Sequence, residues 1–134
     1  MSELLARMRN SPFLSLLGVE IVDAPNEPAT IRLTVKEELL QSLGVAHGGV
    51  VGTMIDTVIG VAAGRTLKEP AAIVTVEYKV SFYQPSRLGD VLTARGELLH
   101  AGRQTFSGVA RVTNQHNQLV AAGMATYMRV AGAP

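Results

Sequence analysis

The chain has 134 residues and a net charge of +1; 47% of its residues are hydrophobic, 17% are charged and none is cysteine. This length fits a single domain, 1–134, and the missing cysteines exclude disulfide scaffolds, thiolate metal sites and cysteine nucleophiles. The scattered charges argue against nucleic-acid binding and a charged membrane anchor, while so apolar a chain often hides surface in an oligomer.

The N-terminal part is predicted to hold one short helix and two strands. Residues 2–9 are expected to be helical, with Ser2 as N-cap. Residues 17–24 and 30–35 alternate loosely around "PNEP" and are predicted to pair as antiparallel strands. The N-terminal apolar patch is interrupted and no cleavage site follows it, so a signal peptide is rejected. No apolar segment is long and uninterrupted enough to span a bilayer, and we expect a cytoplasmic protein.

The next segment, "KEELLQSLGVA", is expected to be a loop or partly helical. One long helix is predicted from Gly49 to about Thr66, because its apolar residues recur at i, i+3 and i+4. A helix that is apolar on nearly all sides is usually buried on most of them. Arg65 and Lys68 favour its C-terminal end, and Pro70 is expected to stop it.

Four strands are predicted after this helix, at 72–83, 90–100, 104–113 and 119–130. The first alternates strictly, which places Val74, Val76, Tyr78 and Phe82 on one face and Thr75 on the other. Short loops between consecutive strands predict an antiparallel meander. The element order therefore predicts an α+β domain in which one long antiparallel sheet curls around one helix.

Gly48 and Gly49 open the long helix, where backbone N–H groups lack intrahelical partners. Glycines let another molecule approach that backbone closely, and the helix dipole adds partial positive charge. The pair is therefore a candidate oxyanion hole for a carbonyl oxygen. The alternative is a flexible entry into the helix.

Asp56 is the only charged residue in the apolar run from 46 to 64, and no cation lies three or four residues away. Removing an unpaired carboxylate from water is costly. Either Asp56 faces a wet edge or caps the backbone of another element, or it is a catalytic base or nucleophile.

The spacing of Gly48 and Asp56 constrains any shared chemistry. Eight helical residues span roughly 12 Å, whereas a reacting carbonyl must lie within about 3 Å of both its donors and its attacker. Two antiparallel copies of the helix would satisfy both distances. If these residues share one site, a homodimer with two interface sites is the economical solution.

His47 is expected to orient the helix start rather than to act as a general base. No two histidines have the HxxxH or HxH spacing of a metal site. The markers of serine hydrolases and of nucleotide-phosphate loops, GxSxG and GxxxxGK[ST], are also missing.

The stretches "LGVAHGGVVGTMIDT" and "VTVEYKVSFYQPSRLGD" resemble the hotdog-fold acyl-CoA thioesterases, in particular the phenylacetic-acid-pathway (PaaI-type) branch. The resemblance covers about residues 12–130. It implies a strand-wrapped helix, a dimer with a continuous sheet and often a dimer of dimers. It also implies hydrolysis of an aryl-acyl or short- to medium-chain acyl-CoA, without metal or cofactor, by an activated water or a carboxylate nucleophile.

The resemblance also implies roles for single residues. Asp56 matches the family's carboxylate, and the backbone N–H of Gly48, preceded by His47, matches its oxyanion donor. Gln41 stands where the best-known members have asparagine and would orient the thioester carbonyl. Thr75, ten residues before the proline of the following turn, would position the water.

Substrate binding is further expected to involve Gly49 and surface cations, of which Arg87 and Arg103 are candidates for the CoA nucleotide; each is otherwise an ordinary solvated charge. Two alternative functions remain. One is a non-catalytic acyl-CoA-binding hotdog module, which would not need the acid at Asp56. The other is a hotdog-fold hydratase, which typically needs a catalytic histidine and an acid at a different spacing.

Overall fold

The computed structural model describes residues 3–68 and 71–131, and in it one long helix lies inside a curled antiparallel sheet of six strands. This arrangement confirms the predicted α+β class. The expected N-cap at Ser2 and helix stop at Pro70 lie outside the described residues. The helices are α1 (Glu3–Arg9), α2 (Pro12–Leu17) and α3 (Gly48–Gly64), and the strands are β1 (Glu20–Ile21), β2 (Ala29–Thr34), β3 (Ala72–Phe82), β4 (Val91–Ala101), β5 (Thr105–Thr113) and β6 (Leu119–Val130).

The core is built around α3, as its apolar sequence predicts. Met54, Ile55 and Ile59 on this helix are fully buried, and burying each such side chain stabilises the fold by about 1.5–3 kcal/mol. Glycines on β4, β5 and β6 let the sheet pack closely against α3. A Cβ at Gly108 or Gly123 would collide with the neighbouring strand and with isoleucines of α3. Within residues 3–68 and 71–131, no helix has the length and apolarity needed to cross a membrane.

The prediction of a strand beginning at Leu17 is wrong. Pro12–Leu17 is helical because Ser11 caps it, with the serine side chain accepting a hydrogen bond from the Leu14 amide, and Pro12 occupies the first turn. Gly18 ends the helix in the left-handed conformation, at φ 80°. Only Glu20 and Ile21 then pair with β2.

The predicted meander holds for β4, β5 and β6 but is wrong for β3. The sheet order is β1-β2-β4-β5-β6-β3, so β3 pairs with β6 and forms an edge, while β2 occupies the place beside β4. The connection between β3 and β4 crosses the open end of the sheet, where Ser86 accepts a hydrogen bond from Ala46 and Arg87 bridges to Val45. This crossing places the connection beside the start of α3.

The strict alternation predicted for β3 is also wrong. A β-bulge interrupts the pairing of β3 with β6 between Thr75 and Glu77. A bulge inserts one extra residue and reverses the facing of the residues beyond it. Consequently Thr75, before the bulge, and Tyr78 and Phe82, after it, all contact α3.

Candidate active site

Asp56 stands in the middle of a glycine stripe on α3. Gly48, Gly52, Gly60 and Gly64 are spaced in multiples of four residues around it, so consecutive members of the row lie on adjacent turns of the helix. A Cβ on Gly52 would meet the Tyr78 ring at 3.4 Å, and one on Gly48 would meet the Phe82 ring at 3.3 Å. The small glycines therefore let β3 pack close enough to α3 for Thr75 on this strand to reach Asp56.

A narrow part of α3 remains open to the exterior. Gly48 and Gly49 are exposed, Thr53 and Asp56 are half-buried, and every other residue of the helix is buried. Positions 49, 53 and 56 follow the i, i+4, i+7 spacing of one helix face. A ligand or a second chain can thus reach both the helix start and the aspartate from the same side.

His47 is the N-cap of α3. Its Nδ1 atom accepts a hydrogen bond of 2.8 Å from the Gly49 amide, and its carbonyl accepts one from Val50. An Nδ1 that accepts carries no proton, so the ring proton is on Nε2. The Gly48 amide has no hydrogen-bond partner in the part of the chain that the structure describes. The cap thereby leaves one backbone donor, that of Gly48, for an external oxygen.

Asp56 is held by two hydroxyl groups. The Thr75 hydroxyl donates to Oδ1 at 2.9 Å, and the Tyr127 hydroxyl donates to the same oxygen at 2.6 Å and also to the Asp56 carbonyl. Among the described residues no donor reaches Oδ2 and no cation forms an ion pair with this carboxylate. Asp56 therefore presents one bonded oxygen and one free oxygen.

Tyr127 contacts Asp56 directly, although the sequence does not mark it as a candidate site residue. Burial, followed by the charge of Asp56 and the hydrogen bond to it, raises the pKa of the Tyr127 hydroxyl far above its ordinary value. The group consequently remains a donor throughout the pH range of enzyme assays. Its only sequence signal is a tyrosine in a mostly apolar strand, and its link to Asp56 depends on the sheet register.

Gln41 and Arg87 lie on two loops that meet beside the start of α3. The Gln41 side chain accepts a hydrogen bond from Leu43 and closes a tight turn, and it makes no described contact with His47, Gly48 or Asp56. The Arg87 side chain is exposed, and its backbone bridges to Val45.

Asp90 fixes the loop that carries Arg87. Its carboxylate accepts hydrogen bonds from the Arg87 amide and the Gln115 side chain, and these lower the pKa of Asp90. Gly89 adopts φ 87°, which favours glycine at this turn. The Pro–x–x–Leu–Gly–Asp turn is thus a structural support for the helix start rather than a reactive group.

Arg103 lies in the turn after β4, at the far end of that eleven-residue strand from Arg87. Eleven extended residues span roughly 35 Å before curvature. One chain therefore does not bring the two arginines to the same ligand.

Two cavities lie in different parts of the fold. A cavity of about 360 Å³ adjoins Gly48 and is walled by Val51, Phe82 and Pro85. A larger groove of about 650 Å³ lies on the outer face of the sheet and contains none of the candidate site residues. The smaller cavity is therefore the one that adjoins the start of α3. The described residues contain no group of three or more acidic or histidine side chains arranged to hold a metal ion.

Comparison with known proteins gives a consistent picture. Residues 43–121 match the family model of the thioesterase superfamily. The acyl-coenzyme A thioesterase PaaI of Escherichia coli is 27% identical over 127 residues, which cover 95% of this chain and 89% of that protein. The solved structure of E. coli PaaI superposes with a TM-score of 0.84, covering 96% of this chain and 91% of that one.

Two further proteins extend the comparison. The 1,4-dihydroxy-2-naphthoyl-CoA hydrolase of Listeria monocytogenes is 24% identical over 104 residues, which cover 78% of this chain and 84% of that protein. The structure of smu.793 from Streptococcus mutans, solved bound to acetyl CoA, is 27% identical with a TM-score of 0.76, covering 87% of this chain and 91% of that one.

Proposed function

This chain belongs to the thioesterase superfamily and is a thioester hydrolase, and we propose that it cleaves acyl-CoA at sites shared by two copies of the chain. The observation that carries the proposal is the pair of unused groups on the open face of α3. These are the Gly48 amide and the free oxygen of Asp56, eight residues apart on one helix.

The separation of the two groups favours a second copy. Eight residues of helix span roughly 12 Å, too far for one carbonyl carbon to meet both groups of the same chain. In an antiparallel pair of α3 helices, Gly48 of one copy faces Asp56 of the other, and two equivalent sites result.

The edge strand β3 supports such a pairing. Residues 74–79 are exposed on both faces of this strand, including Val76 at 56% exposure. A long apolar edge strand is a template for pairing with another chain. We propose that β3 pairs with its symmetry mate, continues the sheet across the dimer and brings the two open helix faces together. A dimer of such dimers is the larger assembly that we expect.

In the proposed reaction, the thioester carbonyl oxygen accepts a hydrogen bond from the Gly48 amide at the positive end of the helix dipole. The free oxygen of Asp56 from the other copy either attacks the carbonyl carbon or removes a proton from an attacking water. The C–S bond then breaks, and the thiolate leaves and takes up a proton. After direct attack, water hydrolyses the mixed anhydride formed with Asp56 and restores the carboxylate, so either route consumes one water and yields a carboxylic acid and a thiol.

CoA is the thiol that the relatives support, through the acyl-CoA thioesterase of E. coli and the acetyl-CoA-bound protein of S. mutans. Arg87 is exposed beside the helix start, and we propose that it binds the CoA phosphates. Arg103 of the other copy is the candidate for a second cation. The cavity beside Gly48 is proposed to accept the acyl group.

The test is release of free thiol from a panel of phenylacetyl-, short-chain and medium-chain acyl-CoAs. As a matched control, each acyl group is also offered on pantetheine, which lacks the nucleotide. We expect kcat/KM for the best CoA thioester to exceed that for its pantetheine counterpart by about tenfold or more, because remote binding energy assists the reaction. Failure to release thiol from any acyl-CoA, or equal values for the two series, would contradict the proposal.

A further inference from the structure

We propose that Tyr127 is a positioning residue that fixes the carboxylate of Asp56, so that only its Oδ2 atom is presented to the substrate. This inference rests on the proposed function of Asp56 and adds a residue to it. The Tyr127 hydroxyl bonds both the side-chain Oδ1 and the backbone carbonyl of Asp56. A single group thus ties the side chain and the helix backbone of the aspartate to β6.

Gly60 provides the space for this hydroxyl. A Cβ on Gly60 would lie 2.9 Å from Tyr127 Oη, closer than a side-chain carbon normally approaches an oxygen. The phenol therefore occupies a fitted site one helical turn beyond Asp56. Its ring is buried, at 6% exposure.

The sheet register brings the second donor to the same oxygen. Thr75 on β3 is the direct cross-strand partner of Tyr127 on β6, and the bulge begins immediately after Thr75. Thr75 is exposed whereas Tyr127 is buried. Water can compete for the Thr75 hydroxyl but not readily for Tyr127, which makes Tyr127 the more rigid of the two supports.

The fixed oxygen matters because the terminal torsion of an aspartate is broad. A carboxylate without a fixed donor rotates and presents its two oxygens in many orientations. When two hydroxyls bind Oδ1, the Oδ2 atom is held in a single orientation. This orientation matters because a shift of about 1 Å in the position of the attacking atom slows catalysis. Tyr127 acts through Asp56 and does not itself need to touch the substrate.

The experiment compares Tyr127→Phe with Thr126→Val in the full-length protein. Thr126 is the neighbouring residue on β6 and faces the opposite side of the sheet, so its near-isosteric change removes a hydroxyl that does not serve Asp56. We expect Tyr127→Phe to lower kcat about tenfold to hundredfold with KM within about twofold, since a lost hydrogen bond to a charged group has that effect. Thr126→Val is expected to keep both constants within about twofold.

A double-mutant cycle with Gly60→Ala separates positioning from a general structural effect. The added methyl displaces the Tyr127 hydroxyl, while alanine itself is favoured over glycine inside a helix. We expect Gly60→Ala to lower kcat by at least fivefold in the wild type but by less than twofold in the Tyr127→Phe background. Equal losses in both backgrounds, or a kcat for Tyr127→Phe that matches Thr126→Val, would overturn the inference.

Asp56→Asn distinguishes this inference from the proposed function. If Asp56→Asn abolishes turnover while Tyr127→Phe matches the control, only the positioning role fails. If Asp56→Asn retains full turnover, the proposed function fails, and the role of Tyr127 fails with it.

Discussion

Asp56→Asn is expected to lower kcat for the best acyl-CoA by about 10²- to 10⁴-fold, the range that a positioned base contributes. The amide oxygen of asparagine can still accept from the Thr75 and Tyr127 hydroxyls. The change therefore replaces only the free oxygen with an NH₂ group, which neither attacks a carbonyl nor takes a proton from water. Thiol release under substrate saturation measures the loss.

The interpretation of that loss requires an intact fold. Asparagine preserves the contacts of Asp56, so we expect a melting temperature within a few degrees of the wild type. Asp56→Ala is a poorer test because it removes the acceptor of the buried Tyr127 hydroxyl, and an unsatisfied buried group costs about 1–3 kcal/mol. A folded Asp56→Asn protein whose kcat stays within threefold of the wild type would exclude a catalytic carboxylate.

Gly48→Pro is expected to lower kcat by about 10²- to 10³-fold, because proline removes a backbone donor at the start of α3 that no residue within 3–68 and 71–131 uses. Proline is tolerated at the first position of a helix. It also requires an extended preceding residue, and His47 already has φ −61° and ψ 138°. The substitution thus deletes an N–H group where the backbone can accept a proline ring.

Gly48→Ala is the matched variant for this test. Both substitutions add a Cβ that meets the half-exposed Phe82 ring at 3.3 Å, but alanine keeps the amide donor. The ratio of the kcat values of the two variants, measured at a temperature at which both remain folded, gives the contribution of the donor. A ratio near one would show that the Gly48 amide does not stabilise the reacting carbonyl.

The features that the sequence reveals are those set by composition over a short range. Asp56 is noticeable because it is the only charge in an apolar run, and the start of α3 because two glycines follow His47. The long buried helix and most strand positions follow from apolar periodicity. These signals are local, so they can be interpreted without knowledge of tertiary contacts.

The features that the sequence does not reveal depend on how strands are arranged. The position of β3 beside β6 and the bulge after Thr75 are set by pairing between segments far apart in the chain. Strict alternation would place Tyr78 and Thr75 on opposite faces of β3, whereas the bulge turns both toward α3. Tyr127 lies 71 residues from Asp56, and only the register of β6 against β3 brings its hydroxyl to the carboxylate.

The most direct test of the shared site is complementation between two inactive chains. Asp56→Asn and Gly48→Pro chains carrying different tags are co-expressed, and dimers containing one chain of each kind are purified through both tags. In such a dimer one site combines the intact Gly48 of the first chain with the intact Asp56 of the second, and the other site carries both defects. We expect these mixed dimers to recover about half of the wild-type kcat per dimer. Mixed dimers as inactive as either parent would show that Gly48 and Asp56 do not meet across two copies of the chain.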